Sequence, residues 1–99
     1  DWSYKNKGGL TLNIENLNAI LDIDEKNKVA HVQPNINFEK LVKFTLQKGL
    51  VPLVVPEFPT ITVGGAVSGG GCESTSFKYG QVFDTCEAFE VILSDGTLT

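Results

Sequence analysis

Methionine is absent from the 99 residues, and the chain starts at Asp1. It is therefore expected to be a processed product or a piece of a longer protein, with no targeting information at its start. Lys and Arg number 8 against 12 Asp and Glu, for a formal net charge of −4, and the basic residues are scattered. Nucleic-acid binding needs a basic stripe to neutralise phosphates, so that class of partner is excluded. Long apolar runs are missing too. The stretch Leu50–Val55 is far too short to cross a bilayer, and no signal-peptide pattern is present. Membrane association is thus not visible in this sequence. Cysteine is scarce: Cys72 and Cys86 match neither a CxxC redox pair nor a zinc site. They are read as two reduced thiols, buried or idle, as in cytoplasmic-type redox conditions.

What remains is an ordinary globular composition, 41% hydrophobic and 20% charged, in a chain long enough for one small domain. The polar leader Asp1–Gly9 reads as a loop, and Trp2 and Tyr4 in it carry no functional signal. Leu10–Ile14 alternates apolar and polar residues, the period of a half-buried strand. Asn16–Leu21 predicts a short helical turn and Leu21–Asp24 an extended stretch. The charged turn Glu25–Lys28 then leads into a strand over Val29–Gln33, closing a hairpin. Pro34 ends it, because proline has no N–H for a ladder.

Asn37 is placed to cap a helix over about Phe38–Lys48. There Phe38, Leu41, Val42, Thr45 and Leu46 recur at helical spacing, and Gly49 sits at the C-cap position. Pro52, Pro56 and Pro59 predict a stiff, extended path without regular structure. Glu90–Ser94 predicts a strand, Asp95-Gly96 a hairpin turn, and Thr97–Thr99 the returning strand. The chain stops inside that strand, which is the expectation for a cut rather than a natural end. No internal repeat is visible. The order of elements predicts an α+β domain with a mostly antiparallel sheet and flanking helices.

Thr62–Gly71 holds five of the ten glycines. Glycine loses the most backbone entropy on folding, so such a cluster needs a reason. Consecutive N–H groups in a glycine loop make an anion cradle, and Thr60, Thr62 and Ser68 add hydroxyls that reach phosphate or ring heteroatoms. A flexible surface turn is the alternative. It fits poorly with the stiff prolines on one side and with the small apolar residues Val63, Ala66 and Val67 among the glycines. A Walker A loop needs Gly-Lys-[Ser/Thr], and a dinucleotide fingerprint needs GxGxxG between strand and helix; neither is present. The remaining suspects read as structural: His31 lies mid-strand without a partner, and Tyr79 before Gly80 is a packing anchor. Glu73 stays open between a ribose contact and an exposed carboxylate.

The run Pro56-Glu57-Phe58-Pro59-Thr60-Ile61-Thr62-Val63-Gly64-Gly65, with Ser74–Gly80, resembles the FAD-binding domain of the vanillyl-alcohol-oxidase-type flavoproteins. The likeness extends upstream through Leu17–Asp24 and Val29–Pro34, and downstream through Asp84 and Glu90–Gly96, from about Gly8 to Thr99. Pro56-Glu57, Thr62–Gly65 and Glu73–Gly80 are most similar to the sterol side-chain reductases of delta-24-sterol-reductase type, which use a nicotinamide nucleotide to reduce a double bond through FAD. The berberine-bridge-enzyme group shares Pro59-Thr60, Val63–Gly65, Ser68–Gly71 and Lys78–Gly80. There a cysteine before the Pro-Thr pair bonds the flavin covalently. Phe58 stands at that place here, so that bond cannot form.

The resemblance implies that the chain is the second of two FAD subdomains, the first subdomain and the substrate domain lying outside it. By the same resemblance Pro56, Glu57, Thr60, Ile61, Thr62, Val63, Gly64, Gly65, Ser68, Gly69 and Gly70 line the cofactor. No catalytic or metal-binding residue is assigned. The implied parent is an FAD-dependent oxidoreductase acting on a small-molecule substrate. It is either a nicotinamide-dependent sterol-type reductase or a 2-hydroxy-acid dehydrogenase or alcohol or sugar oxidase, cytoplasmic or at an organelle membrane. A free-standing interaction module without redox chemistry is the rival from another class. A half-domain exposes apolar surface and sheet edge, so self-association of the isolated piece is expected.

Overall fold

The computed structural model describes residues 11–99. Two antiparallel strands, β1 (Ile20–Asp24) and β2 (Val29–Val32), are followed by helices α1 (Phe38–Gln47), α2 (Val63–Gly69) and α3 (Ser76–Tyr79), then a 3-10 turn over Val82–Thr85. The architecture is α+β, with one two-stranded antiparallel sheet and flanking helices among the described residues.

The predicted hairpin forms with Asp22 opposite His31 and Ile23 opposite Ala30. A bulge between Ile20 and Asp22 shifts the register by one residue. The shift turns Ile20 onto the side of Ile23 and lets Ile20 and Val32 pack on the core. Its turn is held by Asp24, whose carboxylate accepts from the Asn27 backbone N–H (3.1 Å) and side-chain amide (2.7 Å). These two hydrogen bonds hold the Asp24 carboxyl below its ordinary 3.8.

Upstream the expectations do not hold. Leu10, with the predicted leader loop Asp1–Gly9, falls outside the described residues, and Thr11–Ile14 are exposed and unpaired rather than a strand. Instead of a helical turn over Asn16–Leu21, a tight turn (Leu17 N–H to Ile14 carbonyl, 2.9 Å) leads into pairing with the far strand. Gln33 donates its N–H to the Ala19 carbonyl at 2.9 Å and returns its side-chain oxygen to the Ala19 N–H at 3.0 Å. Cross-strand bonds and β-branched Ile20 outweigh a weak helical preference.

Helix α1 begins where predicted. Asn37 accepts from the Lys40 N–H at 2.8 Å, and Gly49 takes up φ +71° just past the helix end. Phe38, Leu41 and Thr45 turn inward, and the Thr45 hydroxyl donates to the Val42 carbonyl at 3.1 Å. The core is small: Ile36, Phe38, Leu41, Val54, Ala66 and Val82 are buried, with Val55, Ile61, Val63 and Val67 packed against them. The proline-rich stretch 51–60 holds no regular element, as its composition demands.

Two short segments play matching roles. Pro34-Asn35-Ile36-Asn37 and Pro59-Thr60-Ile61-Thr62 each precede a helix, and the two segments meet through an antiparallel bridge between Asn37 and Thr62. Phe38 N–H donates to the Ile61 carbonyl and Val63 N–H to the Ile36 carbonyl, both at 2.9 Å. Glu39 N–H reaches the Pro59 carbonyl (3.2 Å) and Gly64 N–H the Pro34 carbonyl (2.8 Å). Each helix start thus supplies carbonyls to the other. Asn37 and Thr62 then cap their own third N–H groups.

At the far end, Val91 and Thr99 exchange both backbone bonds (2.7 and 2.8 Å), and Gly96 takes φ +87° in the predicted turn. The strands there reduce to one bridge, Ile92 with Leu98, because nothing among the described residues extends the ladder. Phe89, Val91, Ile92, Leu93 and Leu98 are exposed.

Asn37→Ala and Thr62→Ala should each cost about 1 kcal/mol in urea denaturation of the protein. Sharing one clasp, they should show a double-mutant coupling of at least about 0.5 kcal/mol rather than simple additivity. The Asp24 carboxyl, followed by NMR, should titrate below 3.8 and move back up in Asn27→Ala. Because its folded value is depressed, the stabilisation it gives is complete above the ordinary value and is lost as pH falls through the lowered one.

Candidate functional site

The predicted loop Thr62–Gly71 is mostly helix. Thr62 caps α2 by accepting from the Gly65 N–H at 3.1 Å, and Gly70 closes it in the left-handed region at φ +69°. Isolated propensity argues against a helix this rich in glycine. Tertiary contact overrides it: Ala66 is buried in the core, and the clasp fixes the first turn.

This arrangement corrects the idea of an anion cradle. The four N–H groups at the start of α2 are all engaged within the chain. Val63 N–H bonds to the Ile36 carbonyl, Gly64 N–H to the Pro34 carbonyl, Gly65 N–H to the Thr62 hydroxyl and Ala66 N–H to the Thr62 carbonyl. None is left to face a phosphate.

The glycines differ in purpose. A Cβ on Gly64 would sit 2.8 Å from the Pro34 Cβ and 3.0 Å from its carbonyl oxygen, so this glycine lets α2 seat on the corner after β2. Gly70 needs its positive φ and also lies against Gln81. Gly69 has neither reason: its φ is ordinary and nothing lies within 4 Å of where its Cβ would be.

Gly65, Ser68 and Gly69 share one exposed face of α2, three and four residues apart. That face bears a single short side chain. The hydroxyls of Thr60 and Ser68 have no partner among the described residues, while Thr62 uses its oxygen as a cap and keeps its proton to donate. Ile61, Thr62, Val63, Gly64 and Gly70 are half-buried, Pro56 is buried, and Glu57 and Thr60 are exposed. All the predicted residues therefore belong to α2, to its C-cap Gly70 or to the extended segment entering it.

Glu73 has a role that the sequence left open. Its carboxylate accepts from the Glu57 backbone N–H at 3.0 Å, across sixteen residues. Beside it, a groove of about 330 Å³ runs between Val51–Val55 and Glu73–Thr75 with Tyr79 at its edge. Tyr79 is partly exposed, and the Lys78 amine lies 5.2 Å from its ring centre. Only the long-range contact gives Glu73 away, and no local spacing encodes it.

A second hollow of about 440 Å³ lies on the outer face of the hairpin, lined by Asp22, Asp24, Asn27, Val29, His31 and Glu87. His31 is exposed there. Among the described residues no three His, Cys, Asp or Glu side chains are placed to hold a metal. Cys72 and Cys86 are both free thiols, and burial pushes the Cys86 thiol up, away from the reactive thiolate. No helix among the described residues is long and apolar enough to cross a membrane.

The family described as FAD binding domain matches residues 2–99. The chain is 39% identical over 95 residues to a Delta(24)-sterol reductase of Pisum sativum, covering 96% of this chain and 17% of that protein. It is 37% identical over 82 residues to the Delta(24)-sterol reductase of Homo sapiens, 83% of this chain and 16% of that one. Against the glycolate oxidase subunit GlcD of Bacillus subtilis it is 33% identical over 93 residues, 93% of this chain and 20% of that subunit. The chain thus spans about a fifth or less of the length of these relatives. No solved structure matches it.

Gly64→Ala should destabilise the protein by about 1–3 kcal/mol, because the methyl meets backbone that cannot move aside. Gly69→Ala should be neutral or stabilising by up to about 1 kcal/mol, through helix propensity in open space. Thermal or urea unfolding of the two variants separates a glycine that packs from one that does not.

Proposed function

The chain belongs to the FAD-binding domain family, and from that premise we propose that it is the second of two subdomains that together hold FAD in a flavin-dependent oxidoreductase. The observation that carries the reading is the outer face of α2. Gly69 is a helical glycine that no contact among the described residues requires. A flat ligand lying close along Gly65, Ser68 and Gly69 does require it. The residues fit FAD as a lining surface with free hydroxyls at Thr60 and Ser68. They do not fit it as a cradle for the pyrophosphate, which falls to residues outside this chain.

In this reading Pro56, Glu57, Thr60, Ile61, Thr62, Val63, Gly64, Gly65, Ser68, Gly69 and Gly70 form the cofactor wall. Thr60, Thr62 and Ser68 donate to polar atoms of the ligand, and Ile61 and Val63 keep water from its edge. Buried Pro56 and Gly64, seated on Pro34, shape the wall from beneath. FAD supplies the two-electron chemistry when bound; this chain binds and orients it.

The likeness to the sterol reductases supports a nicotinamide-dependent reduction of a double bond in a sterol-like small molecule. The glycolate oxidase subunit supports a second reading, an FAD-linked 2-hydroxy-acid dehydrogenase or an alcohol or sugar oxidase. The first reading goes with a place at an organelle membrane, where sterols reside, and the second with the cytoplasm. The chain taken alone, with Phe89, Val91, Ile92 and Leu98 bare, is proposed to self-associate.

The test is the visible absorption spectrum of the intact protein that carries this chain, repeated on the supernatant after acid precipitation. A flavin spectrum is expected; Phe58 offers no nucleophile for a covalent bond, so flavin that passes into the supernatant agrees with this chain, and flavin kept in the precipitate points to a nucleophile outside it. Anaerobic bleaching by a nicotinamide nucleotide supports the reductase; bleaching by a 2-hydroxy acid supports the alternative. A protein that stays colourless when FAD is supplied overturns the flavin reading.

A further inference from the structure

The extended segment 51–60 carries Pro56, Glu57 and Thr60 of the proposed cofactor wall and leads into the rest, yet its own N–H groups make almost no hydrogen bonds. Three of its residues are prolines without an N–H. Among the other seven, Glu57 is the only one whose N–H finds a protein acceptor among the described residues, and that acceptor is the Glu73 carboxylate at 3.0 Å.

Glu73 is itself braced. Its N–H donates to the Ser76 hydroxyl at 2.8 Å, and its carbonyl accepts from the Ser76 N–H at 2.9 Å. Two residues on, the Thr75 hydroxyl donates to the Leu53 carbonyl at 2.7 Å, a second tie to the same segment. No cation pairs with the Glu73 carboxylate among the described residues. Its evident partner is one backbone N–H.

We infer that Glu73 is a positioning residue for the cofactor wall, acting through the Glu57 peptide rather than by touching the ligand. The peptide between Pro56 and Glu57 is planar, so fixing its N–H fixes the Pro56 carbonyl in the opposite direction. Pro56 is buried and its ring sets φ, so one held N–H orients the turn that leads to Thr60. The neighbouring tie from Thr75 holds the segment four residues earlier and does not substitute for it.

This inference rests on the proposed flavin-binding reading, and its test separates the two. In the intact protein, FAD affinity is measured by flavin fluorescence for Glu73→Ala and Glu73→Gln, with hydrogen exchange of a peptide covering residues 54–58 read alongside. Loss of one hydrogen bond at an open rim should weaken FAD about three- to tenfold in Glu73→Ala and speed exchange at Glu57 by a similar factor. Glu73→Gln keeps an acceptor oxygen for the same N–H, so it should restore both to within about twofold.

An equal loss of FAD in Glu73→Gln and Glu73→Ala means that the charge itself meets the ligand, and overturns the positioning role. So does an unchanged FAD affinity in Glu73→Ala. A wild-type protein that holds no flavin removes the flavin reading instead. In that case the exchange data still decide whether Glu73 clamps Glu57, and unchanged exchange in Glu73→Ala overturns the clamp.

Discussion

Everything in this small fold hangs on the antiparallel contact between two helix starts. A helix leaves its first N–H groups without intrahelical partners, and where two helix starts pack beside the core such donors are costly to leave unsatisfied. Here each start answers the other. Ile36 and Pro34 give carbonyls to α2, and Ile61 and Pro59 give carbonyls to α1. Proline suits the outer position because it accepts without offering a competing N–H. Isoleucine suits the inner one because its side chain can turn to the core while its carbonyl faces the partner helix; Ile36 is fully buried.

That contact also decides what the glycines are for. Helix α2 approaches the corner after β2 so closely that only glycine fits at position 64, and the approach consumes the N–H groups that a nucleotide loop would have offered. The ligand-facing surface proposed for α2 therefore lies along its side, at Gly65, Ser68 and Gly69, rather than at its end. The extended segment feeding α2 is held separately, by Glu73 and Thr75 from the turn before α3.

Much of this was legible in the sequence. Asn37, the apolar spacing of α1 and Gly49 marked a helix correctly within one residue, and Asp95-Gly96 marked a turn that the structure contains. These are local signals, set by capping and by φ preference. The misreadings were non-local. The end of Asn16–Leu21 is drawn into strand pairing, with Gln33 bonded to Ala19, and Val63–Gly69 becomes helical because Pro34 and Ile36 lie against it. The matching Pro-x-Ile-[Asn/Thr] segments were present in the sequence but too short to register as a repeat until their pairing gave them meaning. Glu73 was visible as a carboxylate near the site, and its partner sixteen residues away was not.

The seat of Gly64 on Pro34 has a bearing on how the chain assembles. Three of the seven residues of α2 are glycine, so the helix has little tendency to form before its neighbours are in place. Its first turn requires contacts with residues about thirty positions earlier, a loop that must close before any return is gained. Helix α1 needs less, since its apolar face and its cap are encoded locally. The expected order of events is hairpin and α1 first, α2 late. In reverse, α2 is expected to open first, and its opening takes the clasp carbonyls of Ile61 and Pro59 from α1 while the hairpin stays paired. The wall proposed for the cofactor is thus the part of the fold that a bound ligand has most scope to order.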